Sequence, residues 1–277
     1  MTALQKKRTI NAISLFFKIV IGLVFIAPII VCILFSLQQE GEIATLTPKL
    51  FTANPTLENY RTVLNTMPIF TYLKNSLIVC LLTIVIQMFL VSFAAYAFSF
   101  FEFRGKKALF TLILMAMMIP PDIVVITNFV TVQRLHLTDT YLGLILPSLV
   151  SGMGIFLMRQ YYMTVPKELK DAAVIDGCGH FRFLFQILLP MSVPTIASLA
   201  LYTFIIEYNH YFWPLLVTNT DKMRTIQIGV SMLVRSDWLE YGPMLAGAAV
   251  AIIPPALIFI IGQDYIVKGM TDGAVKG

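Results

Sequence analysis

Residues 73–98 read LKNSLIVCLLTIVIQMFLVSFAAYAF, and from Leu77 to Phe98 they carry no charged side chain. About 20 apolar residues, rising 1.5 Å each, are what an α-helix needs to cross roughly 30 Å of hydrocarbon. Lipid offers no water to backbone N–H and C=O groups, so a helix, which closes them internally, is the favoured form. The run lacks the alternation of a barrel strand. Five further windows meet the same test: Ile13 to Leu37, Ala108 to Ile126, Tyr141 to Leu157, Ile187 to Ile206 and Met244 to Ile261. The sequence therefore predicts an all-α, polytopic membrane protein with six transmembrane helices.

Composition points the same way. Of 277 residues 58% are hydrophobic and 13% charged, with a mean hydropathy of +0.81, whereas soluble domains carry roughly a quarter charged residues. The net charge of +5 does not mark a nucleic-acid binder, because the cations sit in short clusters between apolar runs. Lys6, Lys7 and Arg8 precede an apolar stretch that runs past Pro28 to Leu37 without a small-x-small cleavage pattern, which predicts an uncleaved signal-anchor helix. Cys32, Cys80 and Cys178, like His136, His180 and His210, have no metal-ligand spacing.

The cations also predict orientation. With the N-terminus inside, twelve Lys and Arg fall in cytoplasmic segments, including Arg104, Lys106, Lys107, Arg159, Lys167 and Lys170, against seven opposite. Both termini are expected in the cytoplasm. The expected organisation is a cytoplasmic segment 1–12, one integral membrane domain 13–262, and a cytoplasmic tail 263–277.

Residues 163–190, MTVPKELKDAAVIDGCGHFRFLFQILLP, are too polar to span and too patterned to be slack. Thr164 is expected to cap a short helix, Pro166 to Asp176, with Pro166 and Glu168 suited to its first turn and Gly177 to the left-handed residue past its end. Leu169, Ala172, Ala173 and Asp176 share one face by their spacing. A second helix offers Phe181, Leu184, Phe185 and Leu188 and runs into the fifth span. The whole, 164–190, reads as a cytoplasmic elbow, against the plainer alternative of an amphipathic loop resting on headgroups.

The spacing Asp171-Ala172-Ala173, three residues, Gly177, nine residues, Ile187-Leu188-Leu189-Pro190 resembles the EAA loop of permease subunits of ATP-binding-cassette importers. Asn75-Ser76, the stretch Tyr208 to Leu215 and the tail Gln263 to Gly277 resemble the smaller, maltose-type second permease of the carbohydrate-uptake branch. Asp171 stands where that family usually has Glu. The resemblance implies an ATPase-coupling loop carrying Glu168, Asp171, Ala172, Ala173, Asp176, Gly177 and Arg182, and a tail that in some members reaches the ATPase dimer. It further implies a second permease subunit, two ATPase subunits that bind ATP and magnesium, and an extracytoplasmic solute-binding protein. The setting is a bacterial cytoplasmic membrane, with no cofactor and no metal on this chain.

The chain has no phosphate-binding loop and no nucleophile-base pair, so it is expected to be a conduit and not an enzyme. Asn209, with Tyr208, Tyr211 and Glu207, is the candidate for contact with a sugar-like solute, which needs amide hydrogen bonds and flat aromatic faces. An interfacial aromatic belt is the alternative for the same cluster. Asp122, after Pro120-Pro121, reads as an exposed acid at a kink. A sugar or oligosaccharide is the expected cargo, with glycerol 3-phosphate or a related polyol phosphate as the alternative suggested by Tyr211 to Leu216. An ion-coupled secondary transporter, the rival class, would want paired ionisable residues within the spans.

Overall fold

Among the described residues three apolar helices run unbroken, and three others are broken where prolines and glycines interrupt the backbone ladder. The computed structural model describes residues 3–43, 45, 49–233 and 241–272, and for residues 3–10, 12 and 264–272 the backbone alone. The first helices are α1 (Ala3–Ser36), α2 (Glu40–Ile43), α3 (Glu58–Thr66), α4 (Ile69–Phe100), α5 (Lys106–Ala116), α6 (Pro121–Arg134) and α7 (Tyr141–Ile145). Then follow α8 (Gly152–Tyr162), α9 (Lys167–Ile175), α10 (His180–Phe183), α11 (Leu189–Met191), α12 (Val193–Tyr208), α13 (Phe212–Val217), α14 (Ile226–Met232) and α15 (Tyr241–Asp272). A 3₁₀ turn, Leu146–Ser148, extends α7, and a wide π-type turn, Leu184–Leu188, joins α10 to α11. No strand occurs among the described residues.

Ile13–Ser36, Ile69–Phe100 and Tyr241–Gln263 are each long and apolar enough to cross a membrane, and the count reaches six if each bent pair is one span. The third expected window is not straight: α5 and α6 meet at 98°. Pro121 has no N–H to give Met117, and Pro120, preceding a proline, is held extended at ψ 133°. Asp122 follows in the first turn of α6, exposed, where the helix dipole favours an acid. The fourth window bends by 54° between Ser148 and Gly152, and the fifth by 77° at Ser192, between Pro190 and Pro194.

Two compact units divide the chain, residues 1–69 with 229–253, and residues 70–228 with 254–277. In the first, Asn59 donates through Nδ2 to the carbonyls of Ser36 (2.9 Å) and Gln38 (2.7 Å), capping the end of α1. Glu40 accepts from the N–H groups of Tyr241 and Gly242, both at 2.9 Å, the donors that the start of α15 leaves free. Gly242 lies so close to the Asn59 amide that a Cβ would overlap it. The helix α15 passes through Pro254 and Pro255 and continues to Asp272 without a break at residue 263. Residues 273–277 of the expected tail lie outside the described residues, as do the tail side chains from 264 onward.

In the second unit the main core joins the last third of α4 (Val91, Ala95, Tyr96, Phe98) to α8 (Ile155, Met158, Tyr162) and to the elbow. Smaller clusters gather Val79, Leu144 and Ile145, and Val132, Trp213 and Val217.

Candidate functional site

The elbow begins as the sequence suggests and differs at its cap. Helix α9 spans Lys167–Ile175 with Pro166 before it, but the Thr164 hydroxyl does not cap it. That hydroxyl donates to the carbonyl of Tyr161 at 2.8 Å, closing the end of α8. The physical reason is local supply: Tyr161 offers a free terminal carbonyl three residues back. At the other end, Cys178 N–H donates to Ala173 O (2.8 Å) and Gly177 N–H to Val174 O (3.0 Å), with Gly177 at φ +74°. This is a Schellman turn, and its left-handed residue is the position that glycine fills without a Cβ penalty.

The two faces of α9 separate packing from display. Ala173 is buried and Leu169 partly so, against Tyr162, Val165, Phe183, Leu184 and Leu188. Glu168, Asp171, Ala172, Asp176 and Gly177 are exposed, beside Val174 and an Ile175 that is 85% exposed. Asp171 and Ala172 therefore stand on the open face, while Ala173 serves as the anchor. Arg182, also exposed, turns to Gln186, donating from Nε to Oε1 at 2.8 Å. Lys170 reaches Phe100 O at 3.2 Å, and Tyr96 Oη lies 3.1 Å from His180 Nδ1, so the elbow is pinned to the end of α4.

Broken helices in lipid need partners for the carbonyls they free. Gln87, 5% exposed within α4, donates from Nε2 to Ser148 O at 2.6 Å, at the 54° bend. Its Oε1 accepts from the Thr203 hydroxyl of α12 at 2.7 Å, so both ends of the amide are paired. At the 77° bend, fully buried Ser192 donates to Leu188 O, and Tyr161 Oη donates to Met191 O, both at 2.5 Å. Sequence reasoning did not single out Gln87 or Tyr161. The available signal was an amide in an uncharged run, which must find partners once buried.

At the start of α4 a different set of residues gathers. Asn75, 1% exposed, donates from Nδ2 to the carbonyls of Lys222 and Arg224, both at 2.9 Å, and accepts from Tyr141 Oη at 2.7 Å. Ser76 Oγ accepts from Ile226 N–H at 2.9 Å. Asp139, at φ +53°, accepts from Asn219 N–H (2.8 Å) and from Thr220 N–H and Oγ1 (both 3.1 Å). Burial opposes its charge, yet the N–H groups of Asn219 and Thr220 prevail and hold the carboxyl below its usual range. The Asn75-Ser76 pair is thus a tie between α4 and the 222–226 segment.

The four candidate solute contacts do not share one face. Asn209 and Tyr211 are exposed, with Asn209 Nδ2 donating to Ile205 O at 2.8 Å. Glu207 and Tyr208 are buried, the latter stacked on Phe204 with ring centroids 5.3 Å apart. His210 Nδ1 lies 3.5 Å from Glu207 Oε2.

Apolar helices broken in three places, with polar partners supplied at the 54° and 77° bends and one polar elbow carried on the same core, define a polytopic membrane protein. The chain belongs to the family described as binding-protein-dependent transport system inner membrane component, whose model matches residues 88–272. It is 33% identical over 273 residues, 96% of this chain and 95% of the relative, to the arabinooligosaccharides transport system permease protein AraQ of Bacillus subtilis (strain 168). It is also 33% identical over 266 residues, 92% of this chain and 94% of the relative, to the sn-glycerol-3-phosphate transport system permease protein UgpE of Brucella suis biovar 1 (strain 1330). In fold it is similar to a chain of a bacterial ABC transporter involved in the import of the acidic polysaccharide alginate, with a TM-score of 0.80 at 19% identity, covering 94% of this chain and 97% of that one. It is a transport component of the inner membrane, not an enzyme.

Proposed function

We propose that this chain forms half of the translocation pathway of an ATP-driven importer for a sugar or oligosaccharide. Its partners are a second permease subunit, two ATPase subunits that carry ATP and magnesium, and an extracytoplasmic solute-binding protein. Both termini and the elbow face the cytoplasm, as the excess of Lys and Arg on that side supports. The observation that carries the reading is the elbow: Leu169 and Ala173 lock α9 to the core while Glu168, Asp171, Ala172 and Ile175 stay open to a partner. A stiff lever of this kind passes movement from one bistable body to another. The relative named for arabinooligosaccharide transport supports a saccharide cargo.

Glycerol 3-phosphate is the second reading, favoured by the relatives named for it. A phosphate dianion wants cations along its path, and within the apolar windows of the sequence Lys and Arg are confined to Lys18 and Lys74, near the starts of the first and second windows. The saccharide reading stands first for that reason.

The test is reconstitution of the chain with its co-purifying subunits and comparison of ATP-dependent uptake of arabino-oligosaccharides and of glycerol 3-phosphate. Saccharide uptake that needs ATP is expected, and replacing Asn209 by Ala is expected to lower it while the unliganded ATPase rate holds. A lone homo-oligomer taking up solute on an ion gradient would overturn the proposal.

A further inference from the structure

Between the end of α4 and the start of α5 lies a cleft of about 810 Å³. Its walls carry three cations, Lys106, Lys107 and Arg159, one acid, Glu102, and the rings of Phe103 and Phe110. The cations are not consumed by the fold to the same degree. Lys106 bonds Phe101 O (2.8 Å) and Glu102 (3.1 Å). Arg159 lies over the Phe110 ring at 4.3 Å and donates from Nε to Phe98 O at 3.4 Å, leaving its two terminal nitrogens without an acceptor among the described residues. Lys107 is exposed and has no acidic partner there.

We infer that this cleft is a docking site for the phosphate headgroup of an anionic glycerophospholipid. The inference rests on the cytoplasmic placement of the α4–α5 connection proposed above. A basic pocket at that face meets an anionic lipid surface. The aromatic walls argue for an amphipathic ligand over a bare anion. The same helix that lines the cleft, α5, buries none of its residues in the chain and exposes Leu109 (49%) and Leu112 (55%), an apolar surface for an acyl chain. Arg159, fixed by ring and carbonyl, presents a planar fork that matches two phosphate oxygens, and Lys107 adds a mobile point charge.

The site is tested by native mass spectrometry of the full chain with its co-purifying subunits, delipidated in detergent and titrated with phosphatidylglycerol, with phosphatidylcholine in a parallel arm and excess inorganic phosphate as competitor. Saturable binding of phosphatidylglycerol, about fivefold weaker in Lys107→Gln and again in Arg159→Gln, is expected. Lys107→Arg should restore it, and Glu102→Gln should tighten it. Equal binding of phosphatidylcholine, displacement by inorganic phosphate, or affinity unmoved by both Gln variants would each overturn the inference. Because Arg159 also packs on Phe110, the exposed Lys107 variant decides if Arg159→Gln fails to fold. Topology is read separately by labelling Lys107→Cys with an impermeant maleimide, with Cys32, Cys80 and Cys178 replaced by Ser. Labelling only from outside the cell would sink the proposed orientation, whereas loss of lipid selectivity with cytoplasmic labelling sinks the docking site alone.

Discussion

The two ends of α4 hold their loops by different physics. At its start, Asn75, Ser76 and Asp139 tie segment to segment through hydrogen bonds to backbone atoms, and Tyr141 bonds the Asn75 side chain. At its end, roughly 48 Å away along 32 residues, Tyr96, Phe98 and Phe100 meet Tyr162, Ala173 and Phe183 mainly through rings and methyl groups. Directional bonds hold one geometry and fail abruptly. Apolar packing is non-directional and tolerates small sliding, which suits a lever that must move as a body without melting. The laced end reads as a frame and the packed end as a moving part, and each can be broken separately.

The largest effect is expected from Asn75→Ala. It leaves the carbonyls of Lys222 and Arg224 and the Tyr141 hydroxyl without their partner, a loss of about 3 kcal/mol at roughly 1 kcal/mol per bond. The thermal midpoint of the detergent-solubilised protein should fall, while Tyr141→Phe, which removes one bond, should move it about a third as far. If Asn75→Ala is as stable as the parent, the contrast between the two ends is lost.

Gln87→Leu comes next. It strands the carbonyl of Ser148 and the hydroxyl of Thr203 in the middle of α4's packing, at a cost of about 2 kcal/mol. Adding Thr203→Val should cost little more, since the hydroxyl has already lost its acceptor. Independent, additive losses in a double-mutant cycle would show that the node does not act as a unit.

Gly177→Val probes the packed end. There is open space around the glycine, so any penalty comes from φ +74° alone, on the order of 1–2 kcal/mol and local to the turn. Membrane expression should hold, and ATP hydrolysis should separate from uptake. Gly177→Asn, whose side chain tolerates the left-handed region, should restore much of the coupling. Coupled transport in the Val variant would remove the elbow from its role.

How far the sequence carried these features depends on the range of the forces behind them. The uncharged runs, the helix Lys167–Ile175 and the Gly177 turn were legible, because each is written within a dozen neighbouring residues. Pro120-Pro121 announced a kink but not its 98° angle, which packing decides. The Thr164 cap misled because the sequence does not say which free carbonyl or N–H a hydroxyl will meet, and this one meets Tyr161 O. Partners of Asn75 and Gln87 stand 61 to 149 residues away, so neither tie could be read from local pattern. The separation of Glu207 and Tyr208 from Asn209 and Tyr211 likewise depends on which side of α12 the core occupies.

The smallest expected effect lies just past α12 and separates a titrating contact from the neutral ties. The hydrogen bond to Glu207 raises the pKa of His210, over an opposing contribution from burial. A histidine raised above its unfolded value of 6.5 contributes stability that is complete below that pH and is lost as pH rises through the folded value. The thermal midpoint should therefore decline over that window. His210 is 39% exposed, which keeps the contribution under about 1 kcal/mol. Glu207→Gln should flatten the decline, while the stability lost in Asn75→Ala, which removes a neutral amide and its bonds to backbone carbonyls, should not follow it. A pH profile unchanged by Glu207→Gln would mean that the 3.5 Å pair contributes nothing to holding the end of α12.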